Sequence, residues 1–279
     1  MSDSLPLFIS ADQLAEVAGA PNVQIVAVDA PADFASAHVP GARQLSMADF
    51  TVARPPVAGL LPMASVLEER LRKAGLRHDM HIVAYDRVGD GQAARLLYTL
   101  DAMGHASISL LDGGLAAWHH AGQPLEGGAV SPAPGDFRAQ PQSMRIADKA
   151  WIAARLDDDD ITLLDVRSPA EYAGTDVRSA RGGHIPGAIN LDWNRFKGPD
   201  GRLRPRAELK ALLKAEGIDA DQDVVNYCQS HVRSSYTYLV LRYLGYERVR
   251  GYPGAWSDWG NSADTPVVSG ADPYGASTL

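Results

Sequence analysis

Cys228 stands in the stretch Val224-Val225-Asn226-Tyr227-Cys228-Gln229-Ser230-His231-Val232-Arg233-Ser234-Ser235 and is the only cysteine of the 279-residue chain. An apolar run ends at the cysteine, a short polar loop follows, and residues 236–244 resume as an apolar stretch suited to a helix. This order predicts a strand, a tight loop and a helix. A loop wrapped over a helix N-terminus turns backbone N–H groups inward and stabilises anions. The same field stabilises a thiolate, lowering a cysteine pKa from about 8.5 toward or below 7. Cys228 is therefore the candidate nucleophile, and Gln229, Ser230, His231, Val232 and Arg233 are the candidate substrate-binding loop. Free cysteines often serve as small buried hydrophobes. Here the polar flanks and the basic pair His231 and Arg233 instead predict an electropositive, partly open site.

Such a thiolate suits covalent catalysis in two displacement steps, with ping-pong kinetics as its fingerprint. That chemistry needs neither a metal nor an organic cofactor, and none is expected. Each unit of pKa depression corresponds to about 1.4 kcal/mol of differential interaction. Arg233 and the loop N–H groups can together supply a few times that amount.

The surrounding chain is 46% hydrophobic and 22% charged, which describes an ordinary globular protein long enough for two domains. A net charge of -8 argues against nucleic acid as a partner. One cysteine cannot form an intramolecular disulfide, so no secreted framework is present. Residues 1–6 lack the basic and apolar segments of a signal peptide, and no run approaches the roughly 20 apolar residues of a membrane span. A cytoplasmic enzyme without membrane or nucleic-acid partners is expected, and a monomer is compatible with the sequence.

The elements that must position the loop occur twice. Ile25-Val26-Ala27-Val28-Asp29, Phe34 and His38-Val39-Pro40-Gly41-Ala42 match Ile161-Thr162-Leu163-Leu164-Asp165, Tyr172 and His184-Ile185-Pro186-Gly187-Ala188. His81-Ile82-Val83-Ala84-Tyr85-Asp86 matches Asp223-Val224-Val225-Asn226-Tyr227-Cys228. Leu111-Asp112-Gly113-Gly114-Leu115-Ala116-Ala117-Trp118 matches Tyr252-Pro253-Gly254-Ala255-Trp256-Ser257-Asp258-Trp259. Short apolar runs alternate with helical patterns such as residues 66–74 and 208–215, which predicts an α/β fold with mainly parallel sheets flanked by helices on both faces. Ligands bind such sheets at the carboxyl ends of the strands, where Cys228 falls. The predicted organisation is a first domain over residues 1–122 that lacks the cysteine, a Pro/Gly-rich linker over 123–144 and a second domain over 145–279 that carries it. The acidic run 157–160 reads as a solvated turn and not as a metal site.

These landmarks resemble those of the rhodanese family along nearly the whole chain. The His-[Ile/Val]-Pro-Gly-Ala segment resembles the family's N-terminal signature, and residues 252–259 resemble its C-terminal one, with Asp258 where glutamate is commoner. The resemblance implies tandem rhodanese-like domains in which only the second keeps the nucleophile, Asp86 standing in its place in the first, so that the first is non-catalytic and the second catalytic. It also implies sulfur transfer through a Cys228 persulfide, with thiosulfate as donor and cyanide, a thiol or another protein as acceptor. The loop is similar to the Cys-Gln-Thr-His-His-Arg type of tandem bacterial members. It differs from the small uncharged loop of mercaptopyruvate-specific members and from the Cys-Arg-Lys-Gly-Val loop of animal members. Where the animal enzymes carry a donor-binding arginine, this chain has Glu171, which leaves Arg233 as the candidate anion ligand.

The remaining assignments are mostly structural. His38 and His184 recur in both copies, so turn hydrogen bonding is expected of them; Asp165 and Arg167 are expected to brace loops, and Trp118 and Trp259 to anchor packing. Trp193, Arg195 and Trp256 are assigned to the pocket lining. Two alternatives within enzymes are a 3-mercaptopyruvate sulfurtransferase and a cysteine-dependent phosphatase or arsenate reductase. The Cys-x4-Arg spacing is one residue short of the Cys-x5-Arg loop that wraps phosphate. A non-enzymatic sulfur-carrier or docking module is the third alternative.

Overall fold

The computed structural model describes residues 5–275 and the backbone of residues 277–278. Its principal strands are β1 (Phe8–Ile9), β2 (Val23–Val28), β3 (Arg43–Leu45), β4 (Val52–Arg54), β5 (Val57–Leu60), β6 (His81–Tyr85), β7 (Ile108–Leu111), β8 (Ile161–Asp165), β9 (Ile189–Asn190), β10 (Asp223–Tyr227), β11 (Val249–Gly251) and β12 (Val267–Val268). The helices are α1 (Ala11–Val17), α2 (Pro31–Ser36), α3 (Met47–Phe50), α4 (Ala64–Lys73), α5 (Gln92–Ala102), α6 (Gly114–His120), α7 (Lys149–Ala153), α8 (Pro169–Ala173), α9 (Arg206–Ala215), α10 (Arg233–Leu244) and α11 (Ala255–Trp259).

Two compact units result. The first comprises residues 1–51, 61–142 and 198–203; the second comprises residues 52–60, 143–197 and 204–279. The first is built on a parallel sheet in the order β1-β7-β6-β2-β3 and the second on a parallel sheet in the order β11-β10-β8-β9. The repeated sequence landmarks fall on equivalent strands, β6 with β10 and β2 with β8. The central strands are buried on both faces, which is why they read as continuous apolar runs without alternation. Ile25, Ala27, Val83 and Tyr85 form one side of the first core with Trp118; Leu163, Val225 and Tyr227 do the same in the second with Trp256 and Trp259.

Residues 123–142 are not a slack tether. Gly135 and Phe137 donate backbone hydrogen bonds to Arg72 and Leu76, and Gln140 and Gln142 to Met103 and Ala102, so this extended segment is fastened along the first unit. Phe137 is fully buried there. The acidic run 157–160 is an exposed turn, as expected. Among the described residues, no helix is long and apolar enough to cross a membrane, and no group of three or more His, Cys, Asp or Glu side chains is arranged to hold a metal.

The hairpin β4–β5 comes from the first half of the chain yet packs within the second unit. Ser257 Oγ donates to the Ala58 carbonyl at 3.1 Å and accepts from Ala58 N at 3.0 Å. Gly59 has φ +73°, and a Cβ there would stand inside van der Waals contact with the Ser230 carbonyl oxygen. Only glycine fits both constraints. Gly59→Ala is expected to displace the 228–232 loop, destabilise the protein by about 1–3 kcal/mol and lower turnover at least tenfold. Urea unfolding and steady-state assays check this; an alanine variant with wild-type values in both would show that the hairpin does not constrain the loop.

Candidate active site

Cys228 follows the last residue of β10, at the carboxyl edge of the second sheet, and the loop runs directly into α10. Two backbone hydrogen bonds from α11 hold the loop: Trp256 N donates to Cys228 O and Ser257 N to Gln229 O, both at 2.9 Å. The first unit repeats this clamp, with Leu115 N donating to Asp86 O at 2.8 Å and Ala116 N to Arg87 O at 3.0 Å. The matched motif pairs are thus two parts of one device in each unit, a loop and the helix start that fastens it.

Cys228 is only 1% exposed, which differs from the partly open site expected from its polar flanks. The loop folds over the sulfur and its polarity faces inward. Burial alone would push the thiol up; against it act the Arg233 guanidinium, the Ser234 hydroxyl and the backbone N–H groups of Ser234 and Ser230. The balance holds the thiol below its ordinary value. Ser234 Oγ donates to Cys228 Sγ at 3.4 Å. The thiolate therefore sits in a cradle of N–H and O–H donors at the N-terminus of α10.

Arg233, the first residue of α10, does not stand alone. Its Nη1 and Nη2 donate to Glu171 Oε2 and Oε1 at 2.6 and 2.8 Å, a bidentate clamp. Glu171 is 1% exposed, and although burial opposes it, the Arg233 clamp, the Ser168 N–H and nearby Arg178 bring its carboxyl down to about 2. Arg178 Nε lies 3.6 Å from Glu171 as well. Glu171 thus orients Arg233 and neutralises it, so the guanidinium expected to bind a donor anion is already paired within the protein. Sequence reading missed this role, although Ser168-x-x-Glu171 is a capping-box pattern that places Glu171 in the first turn of α8.

The other expected site residues divide. Gln229 Nε2 donates to Ser179 Oγ at 3.1 Å and to the Arg178 carbonyl at 3.2 Å, so its side chain anchors the neighbouring segment. Ser230 contributes its N–H to the sulfur, and Val232 is the residue preceding α10. His231 is fully buried, its ring against Ser234 and not presented at an open surface. Half-buried Trp193 meets Tyr236 of α10 edge-on at 5.8 Å with Lys197 Nζ 3.8 Å above its ring, beside the start of the helix. Arg195 is drawn away from the loop by a 2.7 Å ion pair to Glu216. Trp256 is 1% exposed with Arg167 stacked 4.4 Å over it, a packing position and not a pocket wall.

The bracing assignments hold in detail. Arg167 is bidentate to Asp165, with Nη2 to Oδ2 at 2.5 Å, and also donates to Gly183 O at 2.7 Å. His38 and His184 bond the carbonyls of Phe34 and Tyr172 through Nδ1 at 2.8 and 2.9 Å and stack on those same rings. The indole N–H groups of Trp118 and Trp259 donate to Pro124 O and Pro266 O. In the first unit the Asp86 carboxylate occupies the sulfur's place. It accepts from Gly89 N at 2.5 Å, Asp90 N at 3.2 Å and Ala93 N at 3.0 Å. Burial, reinforced by Asp90, raises its pKa to about 6. The first cradle is filled by its own side chain.

A cavity of about 500 Å³ borders the acidic turn, but its lining residues Ile161, Thr162 and Leu163 place it toward the amino end of β8, whereas Cys228 lies past the carboxyl end of β10.

Fold and site together define a tandem α/β enzyme scaffold with one persulfide-type cysteine loop and one self-filled copy of it. The chain belongs to the rhodanese family: the family model described as a rhodanese-like domain matches residues 10–121 and again 148–262. A thiosulfate sulfurtransferase of Pseudomonas aeruginosa is 40% identical over 94% of this chain and 97% of its own length. A protein of the same description from Azotobacter vinelandii is 38% identical over 95% and 97%. The crystal structure of a 3-mercaptopyruvate sulfotransferase from Escherichia coli superposes with a TM-score of 0.81 at 27% identity, covering 90% of this chain and 99% of that one.

Proposed function

We propose that this chain is a thiosulfate sulfurtransferase acting through Cys228. The thiolate attacks the outer sulfur of thiosulfate, the donor's S–S bond breaks, and sulfite departs with the bonding electron pair. The persulfide Cys228–S–S⁻ remains, its charge held by the loop N–H groups. Cyanide then attacks the terminal sulfur, thiocyanate leaves, and the thiolate returns, so charge balances in both halves. The observation that carries this reading is the sole thiol of the chain, buried among donors that favour its ionised form. The names and full-length coverage of the Pseudomonas and Azotobacter relatives support thiosulfate as donor. The inward N–H donors of the loop at the N-terminus of α10 support an anionic donor over a neutral one.

In this reading the enzyme works in the cytoplasm, where a reducing environment keeps a lone thiol available, and as a monomer. Cyanide, a small thiol or a protein thiol serves as acceptor.

Mixing the reduced protein with thiosulfate alone is expected to release stoichiometric sulfite and to add one sulfur atom to the Cys228 peptide by mass spectrometry. Cyanide should then discharge that sulfur as thiocyanate. Loading from 3-mercaptopyruvate but not from thiosulfate would refute the donor and keep the mechanism; loading from neither would refute both.

A further inference from the structure

Cys228 Sγ, Ser234 Oγ and His231 Nδ1 form a short buried chain. Ser234 Oγ lies 3.4 Å from the sulfur and 2.6 Å from Nδ1. Ser234 and His231 are both fully buried. The backbone of His231 is held in a left-handed conformation, φ +59°, and Ser235 Oγ donates to its carbonyl at 2.5 Å. That conformation is uncommon outside glycine, with asparagine, aspartate and histidine its usual exceptions.

A serine hydroxyl has one proton to donate. If Nδ1 were bare, the Ser234 proton would turn to the ring, and the sulfur would face oxygen lone pairs. If Nδ1 carries hydrogen, the ring donates to Oγ and the hydroxyl proton is left for the sulfur. The state of one ring nitrogen thus decides whether Ser234 stabilises or repels a thiolate.

We propose that His231 is a positioning residue for sulfur transfer: its Nδ1–H holds the Ser234 hydroxyl with the O–H aimed at Cys228 Sγ. His231 does not touch the donor and acts only through Ser234. The proposal takes its purpose from the sulfurtransferase reading, but its readout is ionisation of the thiol with no sulfur donor present. The other charged groups about the sulfur are Arg233 on α10, Glu171 on α8 with its neighbour Arg178, and the Asp165–Arg167 pair at the end of β8. All remain in place in the variants below.

The experiment is the pH dependence of iodoacetamide alkylation, which reports only Cys228 because the chain has no other cysteine. Ser234→Ala and His231→Ala are each expected to raise the midpoint by about one pH unit, a roughly tenfold loss of thiolate below it. In the Ser234→Ala background, His231→Ala should add nothing further. His231→Asn tolerates the left-handed backbone and offers a side-chain N–H in place of the ring donor, so it should return the midpoint close to wild type. An unshifted midpoint in Ser234→Ala would overturn the proposal. So would a full His231→Ala shift in the absence of Ser234. Should His231→Ala fail to fold, His231→Asn decides: a midpoint raised as far as that of Ser234→Ala overturns the proposal, and one near wild type supports it. An enzyme inactive with thiosulfate but showing the expected midpoints would refute the donor and leave the positioning role standing.

Discussion

In Cys228→Ala, thiocyanate formation from thiosulfate and cyanide is expected to fall to the uncatalysed background, a loss of about 10³-fold or more. No second cysteine exists to take over, and the equivalent residue of the first unit is Asp86, whose carboxylate is already bonded to three N–H groups. The fold should survive, because the change removes a single sulfur from a packed loop whose backbone is clamped by Trp256 and Ser257. Circular dichroism and urea unfolding, run beside the assay, separate loss of chemistry from loss of structure. Retained turnover in a folded variant would show that sulfur does not pass through this thiol.

Arg233→Ala carries the second large effect, on both stability and reactivity. It strips the partner from Glu171, a carboxylate with 1% exposure, and breaking a buried pair on one side costs about 3–5 kcal/mol. It also removes the leading positive influence on Cys228, so the thiol should rise by about one pH unit or more. The double variant Arg233→Met/Glu171→Leu should regain most of the stability by replacing the pair with apolar contact, and none of the reactivity. If the double variant is no more stable than Arg233→Ala, the stranded carboxylate is not the source of the loss.

The same pair sets an acid limit. Glu171 has an ordinary value of 4.5 and is held at about 2 in the fold. Its folded value is depressed, so its stabilising contribution is complete above the unfolded value and disappears as pH falls through about 2. The stability of Glu171→Gln should accordingly vary less than wild type between about pH 5 and pH 2 in urea titrations.

Much of this was legible in the order of residues. The strands buried on both faces show as apolar runs, and the turns show as Pro-Gly with glycine at φ +75° in Gly41 and +77° in Gly187. The helix after Cys228 is announced by its apolar stretch. Each such signal is local, and the internal repeat states it twice, which is why the cysteine loop and both parallel sheets could be placed without coordinates. Even the structural roles of His38, His184, Trp118 and Trp259 follow from their recurrence in a copy that has lost its cysteine.

The tertiary structure alone decided what surrounds the sulfur. Glu171 meets Arg233 across 62 residues of chain, and charge pairing has no periodicity by which a sequence announces it. The β4–β5 hairpin reaches the catalytic loop from the other half of the chain, at a glycine whose need is visible only once Ser230 stands against it. Arg195 turned to Glu216 and Trp256 was buried beneath Arg167, although both share their segments with the site. The polar character of residues 229–233 pointed to a loop of donors, yet it could not tell an open loop from one folded over its thiol. Local pattern determines which backbone forms; which side chain meets which, and how deeply, depends on how the distant segments pack.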